Sequence, residues 1–159
     1  MKLADKIALV TGSSSGIGAA VAMAFAREGA AIVINYPSEA EAAAAARLCE
    51  SIQALGRRAI AVQADVSQED DVKVLCATAL KAFGRVDILV NNAGIAGAAA
   101  VQDIATAQWD RIIGVHLRGT FMMTRELLPQ MYARGSGRII NTASQLAYKG
   151  AAGFAHYTA

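Results

Sequence analysis

Short apolar runs alternate with helical patterns along all 159 residues, and this order constrains the fold more than any other feature. The runs expected to form strands are residues 7–10, 31–34, 59–62, 86–90 and 138–141. Between them lie four helical patterns, the last of which predicts one helix over residues 106–134. Parallel neighbours need helical crossovers, and strands covered on both faces are almost continuously apolar. The sequence therefore predicts an α/β fold, a doubly wound parallel sheet in a single Rossmann-like domain over residues 1–159.

Apolar side chains at helical spacing mark one face of each predicted helix. The first helix has such a stripe at Ile17, Val21 and Phe25. The stripe of the long fourth helix consists of Trp109, Ile112, Ile113, Leu117 and Phe121. Both stripes are typical of amphipathic helices that accompany a sheet.

Composition and charge argue against several classes of protein. Lys and Arg number 15 against 13 Asp and Glu, and this net charge of +2 is scattered, whereas nucleic-acid binders show a basic cluster. No segment has the length of apolar sequence that a membrane span needs, and the amino terminus lacks a signal-peptide pattern. Cys49 and Cys76 form no metal-ligand pattern. We expect a cytoplasmic protein without a metal site and without a nucleic-acid or membrane partner.

A glycine-rich turn, Thr11-Gly12-Ser13-Ser14-Ser15-Gly16-Ile17-Gly18, joins the first strand to the first helix. Glycines let the backbone turn sharply, and the helix amino terminus offers free N–H groups to a phosphate. The spacing is Gly-xxx-Gly-x-Gly rather than GxGxxG, so a purely structural turn is an alternative. Its position at a strand end, where open α/β sheets bind ligands, favours a phosphate site.

Four segments in this order resemble the short-chain dehydrogenases/reductases, particularly 3-oxoacyl-carrier-protein reductases and glucose dehydrogenases. They are the glycine turn, Asp65-Val66, Asn91-Asn92-Ala93-Gly94, and Ser144 with Tyr157 thirteen residues later. The resemblance covers the whole chain. It implies an oxidoreductase that interconverts a small carbonyl compound and an alcohol by hydride transfer with NAD(P), and commonly a homotetramer.

The resemblance also implies cofactor contacts. Asp65 would accept a hydrogen bond from the adenine, and its alternative role is to cap a helix that begins near Ser67. Asn91 is expected to be structural. The full set of implied cofactor residues is Gly12, Ser14, Ser15, Gly16, Ile17, Gly18, Asn35, Tyr36, Asp65, Val66, Asn92, Ala93 and Gly94.

The end of the second strand bears on the choice between NADP and NAD. An acidic residue there would bind the ribose 2′-hydroxyl and repel a 2′-phosphate. This sequence has Asn35-Tyr36-Pro37-Ser38, with no carboxylate before Glu39, which favours NADP(H). NAD(H) stays open, because no Lys or Arg is nearby and Ser15 stands where NADP-preferring relatives often carry a basic residue.

Ser144 and Tyr157 form the chemical pair that the resemblance implies, with Ser144 bonded to the substrate carbonyl and Tyr157 as acid and base. The tyrosine normally works with a lysine four residues later, which would fall two positions beyond Ala159. His116 stands where the family has a catalytic asparagine, and it supports a proton relay or is simply a core residue. We expect the sequence to be a truncated part of a longer enzyme. The alternative is a catalytically inactive nucleotide-binding module.

Overall fold

The computed structural model describes all 159 residues as alternating strands and helices. The strands are β1 (Ile7–Val10), β2 (Ala31–Tyr36), β3 (Ala59–Gln63), β4 (Ile88–Asn91) and β5 (Arg138–Asn141). The longer helices are α1 (Gly16–Arg27), α2 (Ala42–Ala54), α3 (Glu69–Phe83), α4 (Thr106–Ile113) and α5 (Gly119–Ala133). Two short helices follow β5, namely α6 (Leu146–Lys149) and α7 (Ala155–Thr158).

The five strands form one parallel sheet in the order β3-β2-β1-β4-β5. The chain runs outward from β1 through β2 to β3 and then returns to place β4 on the other side of β1. Such a reversal of strand order opens a crevice at the carboxyl ends of the two central strands. The predicted doubly wound parallel sheet is confirmed.

The sheet separates two apolar cores, because side chains along each strand alternate between its faces. Leu9 of β1 packs with Leu75 and Met123 in one cluster of 15 buried residues. Its neighbour Ala8 belongs to the other cluster, of 12 buried residues, which includes Ile32 and Ile52. Both faces of the sheet are therefore covered, as the almost continuously apolar strands require.

The buried face of α1 differs from the predicted stripe. Gly18, Ala22 and Ala26 are the buried residues of this helix, whereas Ile17 is 68% exposed. Val21 and Phe25 are half-buried at the edge of the 12-residue cluster. Small side chains let a helix lie close to a sheet, so the contact uses the neighbouring stripe rather than the larger residues.

The single helix predicted over residues 106–134 is interrupted. A π turn at Gly114–Arg118 separates α4 from α5. A π turn inserts an extra residue and shifts later side chains relative to the α-helical pattern. Leu117 and Phe121 are 66% and 56% exposed, while Met122 and Met123 are buried.

None of the helices combines the length and the apolar character needed to cross a membrane.

Asp87 ties three parts of the chain together at the amino end of β4. Its carboxylate accepts the Ile7 N–H at 2.9 Å and lies 3.0 Å from Arg85 and 2.8 Å from Arg134. Burial alone would raise the pKa of Asp87, but hydrogen bonds from Arg134, Ile7 and Arg85 outweigh it and lower that pKa. The carboxylate therefore stabilises the fold only in its charged form.

We expect Asp87→Asn to lower the free energy of unfolding at pH 7 by about 1–3 kcal/mol, because charged hydrogen bonds are lost. A depressed pKa gives stability that is present above the unfolded-state pKa and is lost as pH falls through the folded-state pKa. The difference between the variant and the parent should therefore shrink below about pH 4. Urea unfolding at several pH values measures it.

Asp70→Asn is the matched control, since the Asp70 side chain is 98% exposed and its only ion pair, to Lys73, is 3.9 Å long. It should change the free energy of unfolding little at any pH. If Asp87→Asn and Asp70→Asn lowered the free energy of unfolding equally, the ion pairs of Asp87 would not be what stabilises the fold.

Candidate active site

Buried polar side chains lock the carboxyl ends of β1, β2 and β4 together. The Thr11 hydroxyl accepts the N–H groups of Asn92 and Ala93, each at 3.0 Å. The Asn92 amide donates to the carbonyls of Thr11 at 3.0 Å and Gly12 at 3.1 Å. The Asn35 side-chain oxygen accepts the Gly12 N–H at 3.1 Å. The glycine turn is thus fixed from two neighbouring strands.

Two positions of this turn require glycine for different reasons. Gly12 has φ +59°, a conformation that side chains disfavour, and a Cβ there would lie 2.8 Å from the Ala93 Cα. A Cβ on Gly18 would lie 2.4 Å from the Gly12 carbonyl oxygen. The close packing brings the start of α1 against the turn.

The first turn of α1 holds no acidic residue and no side chain caps it, so its N–H groups are available to an anion.

A cavity of about 350 Å³ opens beside this turn. It collects ten of the thirteen residues expected to contact a cofactor: Gly12, Ser15, Ile17, Gly18, Asn35, Asp65, Val66, Asn92, Ala93 and Gly94. These residues come from the ends of four strands, which is what a doubly wound sheet predicts for a ligand site.

The other three expected cofactor residues lie outside the wall of this cavity. Tyr36 is half-buried and packs against the 12-residue core cluster. Gly16 is exposed at the first position of α1. Ser14 is buried, and its hydroxyl donates to the Glu41 carboxylate. The Tyr36 ring packs against the core, and its expected contact with the cofactor stays a prediction.

Asn35 lines the cavity, but its side chain serves the protein itself. It is only 1% exposed, and its amide nitrogen donates to the Ala64 carbonyl at 2.9 Å. With its oxygen held by Gly12, little of this amide is free for a ligand. Its contribution is to shape the turn.

Glu41 is a cavity residue that the sequence pattern did not reveal. It ends a short 3₁₀ turn, Glu39–Glu41, directly after β2, and this turn brings its carboxylate to Ser14. The other charged residues in the cavity wall are Asp65 and Arg111, so carboxylates outnumber cations there. A run of acidic residues after β2 was the available signal, but the sequence does not show which of them turns inward.

Asp65 is held by three hydrogen bonds. One carboxylate oxygen accepts the Ser67 N–H at 3.0 Å and the Ser67 hydroxyl at 2.8 Å, and the other pairs with Arg111 at 2.7 Å. Burial alone would raise the pKa of Asp65, but these bonds from Ser67 and Arg111 lower it. Because α3 begins only at Glu69, Asp65 stabilises the turn before that helix rather than its first N–H groups.

A second cavity, of about 520 Å³, brings together Ser144, Tyr157 and His116. Its wall shares Ile17 and the segment 92–95 with the first cavity, so the two form one continuous cleft. The three residues expected to carry the chemistry therefore meet at one end of the cleft, and the glycine turn lies at the other.

Local contacts orient the serine and the tyrosine. The Ser144 hydroxyl oxygen accepts the Leu146 N–H at 3.2 Å, at the start of α6. The Tyr157 ring, in α7, meets the rings of His116 and Phe154 edge to face, with centroids 5.3 and 6.3 Å apart. Lys149 ends α6 and is exposed.

His116 lies in the π turn and is half-buried in the cavity wall. Its Nε2 lies 3.0 Å from the Ile95 nitrogen and 2.7 Å from the Ile95 carbonyl oxygen. It therefore accepts a hydrogen bond from Ile95 in one tautomer and donates one in the other. The ring also closes against Gly94, where a Cβ would lie 2.8 Å from it. π turns are frequent at functional sites because they present a side chain out of helical register.

Comparison with known proteins agrees with this geometry. A 3-oxoacyl-(acyl-carrier-protein) reductase from Synechocystis sp. is 41% identical over 99% of this chain and 63% of its own. A hydroxy(phenyl)methyl-succinyl-CoA dehydrogenase subunit from Thauera aromatica is 39% identical over 99% of this chain and 62% of its own. A crystal structure of a blue fluorescent protein from a metagenomic library, in complex with NADPH, matches with TM-score 0.94 and 36% identity.

The chain spans 62–64% of the length of these three proteins. The family model for the short chain dehydrogenases matches residues 6–159. That match includes the glycine turn, Asn91 and Asn92 at the end of β4, and the Ser144–Tyr157 pair. The chain is a member of the short-chain dehydrogenase family.

Proposed function

We propose that the full protein is an NADP(H)-dependent oxidoreductase that interconverts a carbonyl group and an alcohol, with 3-oxoacyl thioesters as its substrate class. The observation that carries the proposal is the shared cavity of Ser144, Tyr157 and His116, continuous with an uncapped helix amino terminus. The substrate class is supported by two relatives, one named for a 3-oxoacyl-(acyl-carrier-protein) and one for a CoA substrate. The cofactor is supported by the NADPH complex of the similar structure.

The cleft fits a dinucleotide. The free N–H groups at the start of α1, beside Gly12 and Gly18, suit its diphosphate. Asp65 and Val66 line the same cavity and would hold the adenine, while Asn92 and Gly94 would lie near the nicotinamide ribose. When bound, NADPH supplies a hydride to the carbonyl carbon.

The chain's own residues would then manage the carbonyl oxygen. The Leu146 N–H occupies one lone pair of the Ser144 hydroxyl, so its hydrogen is free to donate to that oxygen. Tyr157 would give the oxygen its phenolic proton. A phenol has a pKa of about 10, so this transfer near neutral pH needs positive charge nearby. The family lysine, one helical turn after Tyr157, would supply it.

His116 would steady this arrangement. Its ring edge packs on Tyr157 at 5.3 Å, and its Nε2 is anchored on Ile95, so it fixes both the phenol and the segment after β4. An imidazole that both donates and accepts can support a water relay toward the family lysine.

We also propose that the protein is cytoplasmic and forms a homotetramer through the α4–α5 face. Phe121 and Tyr132 are 56% and 77% exposed in the single chain. Large apolar side chains grouped on one helical face are typical of a surface that another subunit covers.

Replacing Tyr157 by Phe in the full protein should lower kcat about a hundredfold or more, because the proton donor is lost while the ring remains. NADPH affinity should change little, since the ring lies at the other end of the cleft from the glycine turn. Steady-state kinetics and a fluorescence titration of NADPH measure the two quantities.

Tyr148→Phe serves as the control, because Tyr148 lies on α6 and is 92% exposed. It should leave kcat unchanged. A Tyr157→Phe variant with parental kcat, or one that loses NADPH binding in equal measure, would remove Tyr157 from its role as acid. If the unsubstituted protein binds NADPH but reduces no carbonyl substrate, the result would favour the nucleotide-binding module instead.

Replacing Glu41 by Gln should tighten NADPH binding about three- to tenfold, because it removes a negative charge from the cavity in which a 2′-phosphate would lie. NADH binding should change less, since NADH lacks that phosphate. Isothermal titration with each cofactor measures both affinities. Ser14→Ala is the matched variant, because it breaks the hydrogen bond to Glu41 and keeps the charge. If Glu41→Gln leaves the NADPH-to-NADH affinity ratio unchanged, Glu41 lies away from the 2′-phosphate.

A further inference from the structure

His156 is a buried polar side chain without a hydrogen-bond partner. It is only 1% exposed, and neither of its ring nitrogens bonds to any group of the chain. Every other histidine, hydroxyl and amide of the cleft described above makes such a bond or faces open space. Because a buried polar group that loses water without a new partner is costly, some ligand atom is expected to complete it.

The position of this imidazole indicates which ligand. His156 precedes Tyr157 in α7, and both line the 520 Å³ cavity with Ser144. Apolar residues of the same wall include Ala96 and Ile112. An unpaired buried polar group next to the residue proposed to handle the reacting carbonyl suits a second oxygen on the same substrate.

We propose that His156 is a substrate-specificity residue whose imidazole N–H donates a hydrogen bond to the second carbonyl oxygen of a 3-oxoacyl substrate, the oxygen of the thioester. This inference rests on the proposed function and adds to it. A neutral imidazole always carries one N–H, so the bond forms without a change of charge. A ketone without a second carbonyl would leave the group unpaired, and sites built for a hydrogen bond reject such analogues strongly.

An irregular segment covers His156. Residues 92–100 form no helix or strand. Ala99 N–H donates to the Gly153 carbonyl at 2.9 Å, and Ile95 contacts His116. Gly97 lies against the imidazole, and a Cβ there would come within 3.4 Å of His156 Nε2 and 3.0 Å of the Gln108 amide nitrogen. Because Gly97 has no side chain, its backbone packs closely over the imidazole, and a substrate would meet the ring from the cavity that His156 shares with Ser144 and Tyr157.

The test uses the full protein and two matched ketones with NADPH. Ethyl 3-oxobutanoate carries a second carbonyl in the position of the thioester carbonyl, and heptan-2-one has the same chain length without it. His156→Phe should lower kcat/KM for ethyl 3-oxobutanoate about 10- to 100-fold and change that for heptan-2-one little. His156→Gln, which keeps a donor, should recover part of the loss.

Four results would count against the proposal. If His156→Phe lowered kcat/KM equally for both ketones, His156 would be a structural residue that positions Tyr157. The same conclusion would follow if His156→Gln recovered no activity on ethyl 3-oxobutanoate. A parent enzyme that reduces both ketones equally well would also exclude recognition of a second oxygen, while leaving the oxidoreductase activity intact. A parent that binds NADPH and reduces neither ketone nor acetoacetyl-CoA would overturn the proposed function, and the role of His156 with it.

Discussion

The cleft depends on how three parallel strands end. Strand backbones leave the sheet with unpaired N–H and carbonyl groups, and buried groups of that kind need partners. These partners come from the ends of β1, β2 and β4, as the side chains of Thr11, Asn35 and Asn92. Each side chain bonds to the backbone that follows a neighbouring strand. The glycine turn is consequently held rigid before any ligand binds. Rigid, preorganised N–H groups bind an anion at a smaller entropic cost than a mobile loop would.

The π turn lies at the opposite end of the cleft. His116, in this turn, lies in the cavity wall with its ring edge to face with that of Tyr157. Leu117 also lines this cavity, although 66% of its surface is exposed. Phe121 lies on α5 after the turn and is 56% exposed. The residues in and just after the π turn therefore contribute both to the cavity wall and to an exposed apolar surface.

The parallel sheet could be predicted because it follows from patterns within short segments. Apolar runs mark the strands, and the glycine turn and Asn92 directly follow β1 and β4. The strand order β3-β2-β1-β4-β5 depends on which segments pack together, and the sequence patterns did not predict it. Features that depend on packing between segments could not be predicted in this way. The buried stripe of α1 is Gly18, Ala22 and Ala26, because closeness to the sheet outweighs the gain from burying larger residues. Glu41 reaches the cavity only through the 3₁₀ turn after β2, and Arg111 reaches Asp65 across 46 residues of sequence.

The two ends of the cleft differ in how completely their polar groups are satisfied. At the glycine turn, the side chains of Asp65, Asn35 and Glu41 already bond to the chain, and the free groups are the first N–H groups of α1. At the other end, both His156 nitrogens lack partners and an irregular segment covers them. An unsatisfied buried group favours whatever ligand completes it, and an irregular segment can move to admit that ligand. In the function proposed above, the residue before the tyrosine and the segment after β4 would therefore govern which substrate the cleft accepts.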